Sequence, residues 1–441
     1  MQDKEKKQFS FINEKIKEKP LNKKRLLFRV GFCVGMAVLF GLVAAFVFTY
    51  FQPKFKQLMY PEQEPVVTIP RDDALSTETT EETAETEHET ESGEAGPETE
   101  QETQAEQPLT EQPEAWELEL KDFQALQNKL YAVGKEANKS VVTVTGVKSD
   151  TDWFKNPYES KGQASGIIVA DNGSELLILT ERKVITDVEE IYVTFINDAT
   201  VAATMKKYDG NTGIAILSVP MESIEADTSA AIQVAVLGNS LTTTQGTIAI
   251  AVGSPLGTNF SILTGNITST TNSISTIDSN YTVFTTDIVG STSGSGALIN
   301  LNGEVIGLVM QDYSSAGDEN TLTALSISEI KTVIEMLSNG RDIPYIGLEL
   351  TTVTNDIAKE YDMPKGAYIK EVKMDSPAMA AGLQSGDVLT AIDGESVFTV
   401  DGYENRLLAL SPGDTAEITI ERQGTEGYAE ITCTVEVSVL K

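Results

Sequence analysis

Apolar residues run from Val30 to Phe51 (VGFCVGMAVLFGLVAAFVFTYF) without a charge, close to the roughly 20 residues that cross a bilayer as a helix. The pattern predicts a transmembrane helix over residues 30–51. A cleaved signal peptide is the competing reading. It fits less well, because the stretch is long, ends in bulky FTYF where small residues precede a cleavage site, and follows a long charged extension. The apolar pattern then stops. Residues 52–115 are dominated by Glu, Thr, Gln and Pro (TETTEETAETEHETESGEAGPETEQETQAEQ), which predicts a disordered, self-repelling acidic stalk with a random-coil reach of roughly 45 Å.

A helical period appears in WELELKDFQALQNKLYAVGKEA, and the chain then changes to short β-rich runs: SVVTVTGV, SGIIVA, ELLILT, EIYVTFI, TVAATMKKY and GIAILSV. Further runs follow as GTIAIAVG, ILTGNITST, YTVFTTDI, GALINL and GEVIGLVM. Many short strands separated by Gly, Asn, Asp and Ser turns predict an all-β barrel or sandwich. The run SISEIKTVIEMLSNG predicts a closing helix, with Ile330, Val333, Ile334 and Leu337 on one face and Gly340 as its stop. From Pro344 a second compact unit begins, with YIGLEL, GAYIKEV, SPAMAAGLQSGDVLTAIDGESV and TAEITIERQG. The resulting division is 1–29 basic tail, 30–51 membrane helix, 52–115 stalk, 116–340 first folded domain and 341–441 second.

Composition sharpens this picture. At 441 residues the chain exceeds what one core organises, which agrees with more than one domain. Its net charge of -33 argues against nucleic acid as a partner and against adhesion of the exposed part to an anionic surface. Lys and Arg crowd the first 29 residues while the far side of the apolar stretch is acidic. The N-terminus is therefore expected in the cytoplasm and the globular part outside, on one membrane pass. The two cysteines, Cys33 and Cys433, lie too far apart in the pattern to serve as a structural pair. The one histidine, His88, sits in the stalk, where nothing is available to hold it against a nucleophile. With the ligand clusters of metal sites missing, no metal and no cofactor is expected.

The order of motifs from about Gly134 onward resembles the HtrA/Deg family, whose members join a trypsin-like protease domain to a PDZ domain. SVVTVTGV resembles the family's first strand, QGTIAIAVGSPLG the entry to its second barrel, and INLNGEVIGLV the strand after the nucleophile loop. The resemblance implies a mainly β fold, with two six-stranded barrels facing each other across a cleft, followed by an α+β PDZ domain. A serine protease of this kind needs a base beside its serine, an acid that orients the base, and two N–H groups aimed at the oxyanion. Aligned to the family's histidine, aspartate and serine motifs, LTERKVI, DGNTGIAIL and TSGSGAL place Lys183, Gly213 and Gly294 at the triad positions. Asp209 is kept, and Thr292 replaces a glycine of the oxyanion turn. A one-residue slip makes Ser295 a candidate nucleophile, and Lys183 could then act as its base only if desolvated. The loss at all three positions points to a pseudoprotease.

The second unit resembles the family's PDZ domain, with SPAMAAGLQSGDVLTAIDG matching its core motif closely. By that resemblance Tyr345, Ile346, Gly347 and Leu348 form the carboxylate-binding loop. A bound peptide would add as a strand along Leu348, Glu349 and Leu350, with Tyr403 and Leu407 on the opposite helical wall. Arg341 lies just upstream of the loop.

The leading expectation is an extracytoplasmic, membrane-anchored, catalytically inactive homologue that binds peptide C-termini or unfolded envelope proteins. The alternatives are an active serine endopeptidase in envelope quality control using Ser295, and a structural envelope protein. Family members commonly trimerise, so a homo-oligomer is compatible with the resemblance.

Overall fold

A computed structural model describes isolated residues between 32 and 42, residues 66–72, and residues 119–440 apart from 152–156, 316, 318, 319 and 426. Side chains of 149–161 are not described. The chain divides into two units, Met1–Glu64 and Pro65–Lys441. In the first, the described residues (Phe32, Met36, Val38, Leu39, Gly41 and Leu42) are helical and exposed. Among the described residues no helix is long and apolar enough to cross a membrane. The span expected over 30–51 lies almost wholly outside them, as does His88.

In the second unit, α1 (Leu120–Ala137) leads into β1 (Val141–Thr151), β2 (Pro157–Asp171), β3 (Glu175–Glu181), β4 (Glu190–Thr194), β5 (Thr200–Tyr208) and β6 (Ile214–Pro220). These close into an antiparallel barrel in the order β1–β2–β3–β6–β5–β4. The second barrel is built from β7 (Ile248–Ser254), β8 (Ser261–Ser275), β9 (Asn280–Val289), β10 (Ser295–Ile299), β11 (Val305–Met310) and β12 (Thr321–Ser326). It closes as β10–β11–β12–β9–β8–β7. The runs LLIL, IAIL and IAIAV are apolar at every position because both faces of those strands are buried. In β3 and β6, Leu176, Ile178, Ala215 and Leu217 fill the first barrel. Their alternates Leu177, Leu179, Ile214 and Ile216 pack against Ile250, Val252, Tyr281 and Val283 of the second barrel. Period-two geometry thus feeds two cores from one strand.

α2 (Ile327–Ser338) closes this domain. Ile330, Val333, Ile334 and Leu337 are buried in the core between the barrels, and the chain leaves the helix through Gly340 at φ 70°. Four such side chains are worth on the order of 1.5–3 kcal/mol each. Val66–Asp72 packs onto this helix. Ile69 joins the core, Val67 N–H donates to Asn339 Oδ1 (2.8 Å), and Asp72 pairs with the buried Lys331 (2.7 Å). Within the stretch 52–115 expected to be a stalk, residues 66–72 are docked, for which the apolar VVTIP is the physical cause, and the rest of that stretch lies outside the described residues.

The PDZ unit opens with β13 (Pro344–Tyr345), β14 (Leu348–Thr352) and β15 (Ala367–Val372). It continues through α3 (Pro377–Ala380), β16 (Val388–Ile392), β17 (Glu395–Ser396), α4 (Val400–Leu408), β18 (Thr415–Gly424), β19 (Gly427–Glu436) and β20 (Ser438–Val439). Its main sheet runs β14–β15–β16–β18–β19 with β17 on β16, and β13 pairs with β20.

Candidate functional site

Two places invite chemistry: the cleft where a trypsin-like triad would sit, and the PDZ groove. In the cleft the first barrel brings the turn of Lys183 beside Gly213, since Arg182 N–H donates to Gly213 O (2.8 Å). The side chains there do different work. Lys183 Nζ is ion-paired with Glu181 (2.7 Å) and with Asp312 (3.2 Å). Burial pulls the Lys183 ammonium down, but the two carboxylates more than offset this and hold it above the usual lysine range. A lysine kept protonated accepts no proton from a serine. Glu181 is buried and its carboxyl is pushed up by burial, against the pull of Lys183.

Asp209 is spent within its own turn, accepting from Asn211 N–H (3.0 Å), Thr212 N–H (3.0 Å) and the Thr212 hydroxyl (2.6 Å). The Met310 methyl lies 3.9 Å from where a Gly213 Cβ would stand. At the nucleophile turn, Gly294 N–H donates to Ser291 O (2.8 Å), and Gln311 Nε2 donates to the same carbonyl (3.1 Å). A Cβ on Gly294 would meet Pro255 O at 2.7 Å and Ser291 O at 2.9 Å. Ser295 is buried in β10, where its Oγ accepts the Ser165 N–H (2.8 Å). That bond ties the second barrel to the first. Ser295 and Lys183, paired in the sequence reading, are each engaged elsewhere.

The loop of residues 345–348 enters β14 beside α4, but Tyr403 and Leu407, expected on the open wall of the groove, are instead buried, because both point into the core beneath it. Gly347 adopts φ 97°, and a Cβ there would lie 2.3 Å from Ser376 Cβ, so only glycine fits this close approach. Ser376 caps α3 by accepting Met379 N–H (3.1 Å), and Ala378 N–H donates to Ile346 O (2.9 Å). The SPAMA motif is thereby the floor that shapes the loop. Glu349 on β14 pairs with Lys373 (2.5 Å). Tyr403 and Leu407 of α4 are buried in the PDZ core, and Arg341 is exposed.

The residue that sequence reasoning missed is Asp278, in the turn between β8 and β9 of the second barrel. Its Oδ2 accepts the N–H groups of Ile346 (2.9 Å) and Gly347 (2.8 Å). Its Oδ1 accepts Leu348 N–H (2.9 Å) and the Tyr403 hydroxyl (2.6 Å). Asp278 N–H in turn donates to Leu348 O (2.6 Å). Burial pushes the Asp278 carboxyl above its usual range, opposed by the Tyr403 hydroxyl and the three N–H groups. Burial and the neighbouring Asp278 likewise push the Tyr403 phenol well up. On the adjacent face of α4, burial and then Asp401 push the Glu404 carboxyl up to about 8. TIDSN reads as an ordinary turn, and only the tertiary structure gives it a partner. Among the described residues no group of three or more His, Cys, Asp and Glu side chains could hold a metal ion.

Residues 164–308 match the family of trypsin-like peptidase domains, and residues 344–433 match the PDZ domain family. The chain is 29% identical over 300 residues to the serine protease Do-like HtrA of Lactobacillus helveticus, covering 64% of this chain and 71% of that one. It is 29% identical over 279 residues to a probable periplasmic serine endoprotease DegP-like of Hahella chejuensis, covering 62% of this chain and 57% of that one. The match to the latter thus spans little more than half of its length. Among solved structures, the HtrA-type protease AlgW with a decapeptide has the same fold, with a TM-score of 0.52 at 19% identity, over 71% of this chain and 99% of that one.

Proposed function

We propose, from the premise that this chain is HtrA-like, a trypsin-like domain followed by a PDZ domain, that it is a peptide-binding protein of the cell envelope whose barrels act as a catalytically silent scaffold. The convergence of three loop N–H groups on one carboxylate carries this assignment. Such a loop recognises the C-terminus of a peptide or of an unfolded protein, and β14 is the strand along which that peptide would add. The cleft supports the silent half. Lys183, Gly213 and Gly294 stand where base, acid and nucleophile are needed, and Gly294 N–H is committed to Ser291 O instead of to an oxyanion. The uncharged stretch from Val30 to Phe51 anchors the chain in the membrane with the folded part outside. Sequence similarity to periplasmic proteases supports that placement.

The test incubates the full-length chain with unfolded casein and follows cleavage by mass spectrometry, beside a Ser295→Ala variant. Labelled peptides with free or amidated C-termini are titrated in parallel. The expected result is no cleavage by either protein and binding of the free-carboxylate peptides only. Cleavage that disappears in Ser295→Ala would establish an active serine enzyme instead.

A further inference from the structure

The carboxylate loop of the PDZ groove is filled by the protein itself. Asp278 takes four donors through its side-chain carboxylate, and its own N–H bonds Leu348 O. This is the pattern by which the last residue of a peptide would dock on a strand edge. Upstream, the Ser275 hydroxyl donates to Leu350 O (3.3 Å), so the segment Ser275–Asp278 follows the unpaired edge of β14 in the antiparallel sense. The turn is held on its other side by Asn211 of the first barrel. Asn211 Nδ2 donates to Ile277 O (2.7 Å), and Asn211 Oδ1 accepts Ile277 N–H (3.1 Å). Asn211 belongs to the Asp209–Gly213 turn that carries the acid position of the triad.

We propose that the turn between β8 and β9 is a tethered internal ligand: the Asp278 carboxylate occupies the seat of a peptide's terminal carboxylate, so that a C-terminal peptide binds only by displacing it. This rests on the assignment of the groove as a C-terminal peptide site. The fit favours a carboxylate-ended peptide over an internal loop of a partner, since all four donors address one carboxylate. A tethered competitor acts at an effective concentration on the order of millimolar. The apparent affinity of a free peptide falls by the fraction of molecules that are open.

The experiment measures binding of labelled heptapeptides to the full-length chain by fluorescence anisotropy. The peptides copy residues 272–277 and end in Ala, Val, Leu, Ile or Phe with a free carboxylate. Amide exchange at Ile346–Leu348 is followed alongside. Asp278→Ala is expected to tighten binding by about tenfold or more, since a closed form outnumbering the open one ten to one costs that factor. It should also speed exchange of those amides by about tenfold. Asn211→Ala, which loosens the turn without touching the groove, should shift both in the same direction and carries the comparison if Asp278→Ala does not fold. Equal affinity in parent and variants overturns the internal ligand while leaving the groove a peptide site. Faster exchange at 346–348 with no binding of any peptide overturns the peptide site, and the internal ligand with it.

Discussion

Replacing Asp72 by Ala removes the carboxylate that, among the described residues, pairs with the ammonium of Lys331, whose side chain is only 3% exposed. Asp72 Oδ2 lies 2.7 Å from Lys331 Nζ and also accepts the Ser328 hydroxyl (2.5 Å). The change therefore leaves a charge buried against α2 and frees a hydroxyl. Breaking one side of a buried ion pair costs about 3–5 kcal/mol. Asp72 is itself 14% exposed, so some water reaches the pair and the lower end, about 3 kcal/mol, is expected. Lys331→Met removes the stranded charge and should cost far less in the Asp72→Ala background than in the parent. The assay is urea unfolding of the four proteins followed by circular dichroism, from which the cycle gives a coupling energy of about 2 kcal/mol or more. Limited proteolysis should cut near residues 66–72 faster in Asp72→Ala than in the parent. A coupling below about 0.5 kcal/mol, with unchanged proteolysis, would show that Val66–Asp72 merely rests on the domain and does not clamp the tether to it.

Other expectations concern the cleft and the groove. The triple variant Lys183→His, Gly213→Asp, Gly294→Ser should not hydrolyse fluorescent casein. A Cβ at 294 collides with Pro255 O and Ser291 O, and the loss of even one oxyanion donor costs about 10²–10³ in rate; measurable turnover would refute this account of the turn. Gly347→Ala should destabilise the PDZ domain in urea by about 1–3 kcal/mol from the backbone alone and abolish peptide binding, and wild-type stability would show that the loop relaxes. Glu404 holds its proton up to about pH 8 in the folded state against an ordinary 4.5. The stability it contributes is full below about pH 4.5 and is lost as pH rises through about 8, because the unfolded chain releases that proton first. Glu404→Gln should therefore flatten the pH dependence of the urea midpoint between pH 5 and 8.5, and identical profiles would contradict the buried neutral carboxyl.

Several features were legible along the chain because their causes are local. Alternation and continuous apolar runs marked the barrel strands, and the spacing of Ile330, Val333, Ile334 and Leu337 marked the helix that closes the first folded domain. Gly347 and the SPAMA stretch were legible because a close-packed loop and a helix cap each demand particular residue types at short spacing. That the one histidine, His88, lies in a polar Glu/Thr-rich stretch outside the barrel strands was likewise a property of the sequence alone. Other features needed long-range contact. Ser295 reads as a nucleophile candidate until the packing of the second barrel's β10 on the first barrel's β2 turns its hydroxyl to Ser165 N–H. VVTIP reads as part of a polar stalk until α2 offers a buried lysine and an apolar seat. Asp278 lies 68 residues from Ile346 in sequence, and nothing in TIDSN names a partner. Only the folded arrangement brings its carboxylate to the loop N–H groups, because desolvated donors accept whichever anion the tertiary structure places within reach.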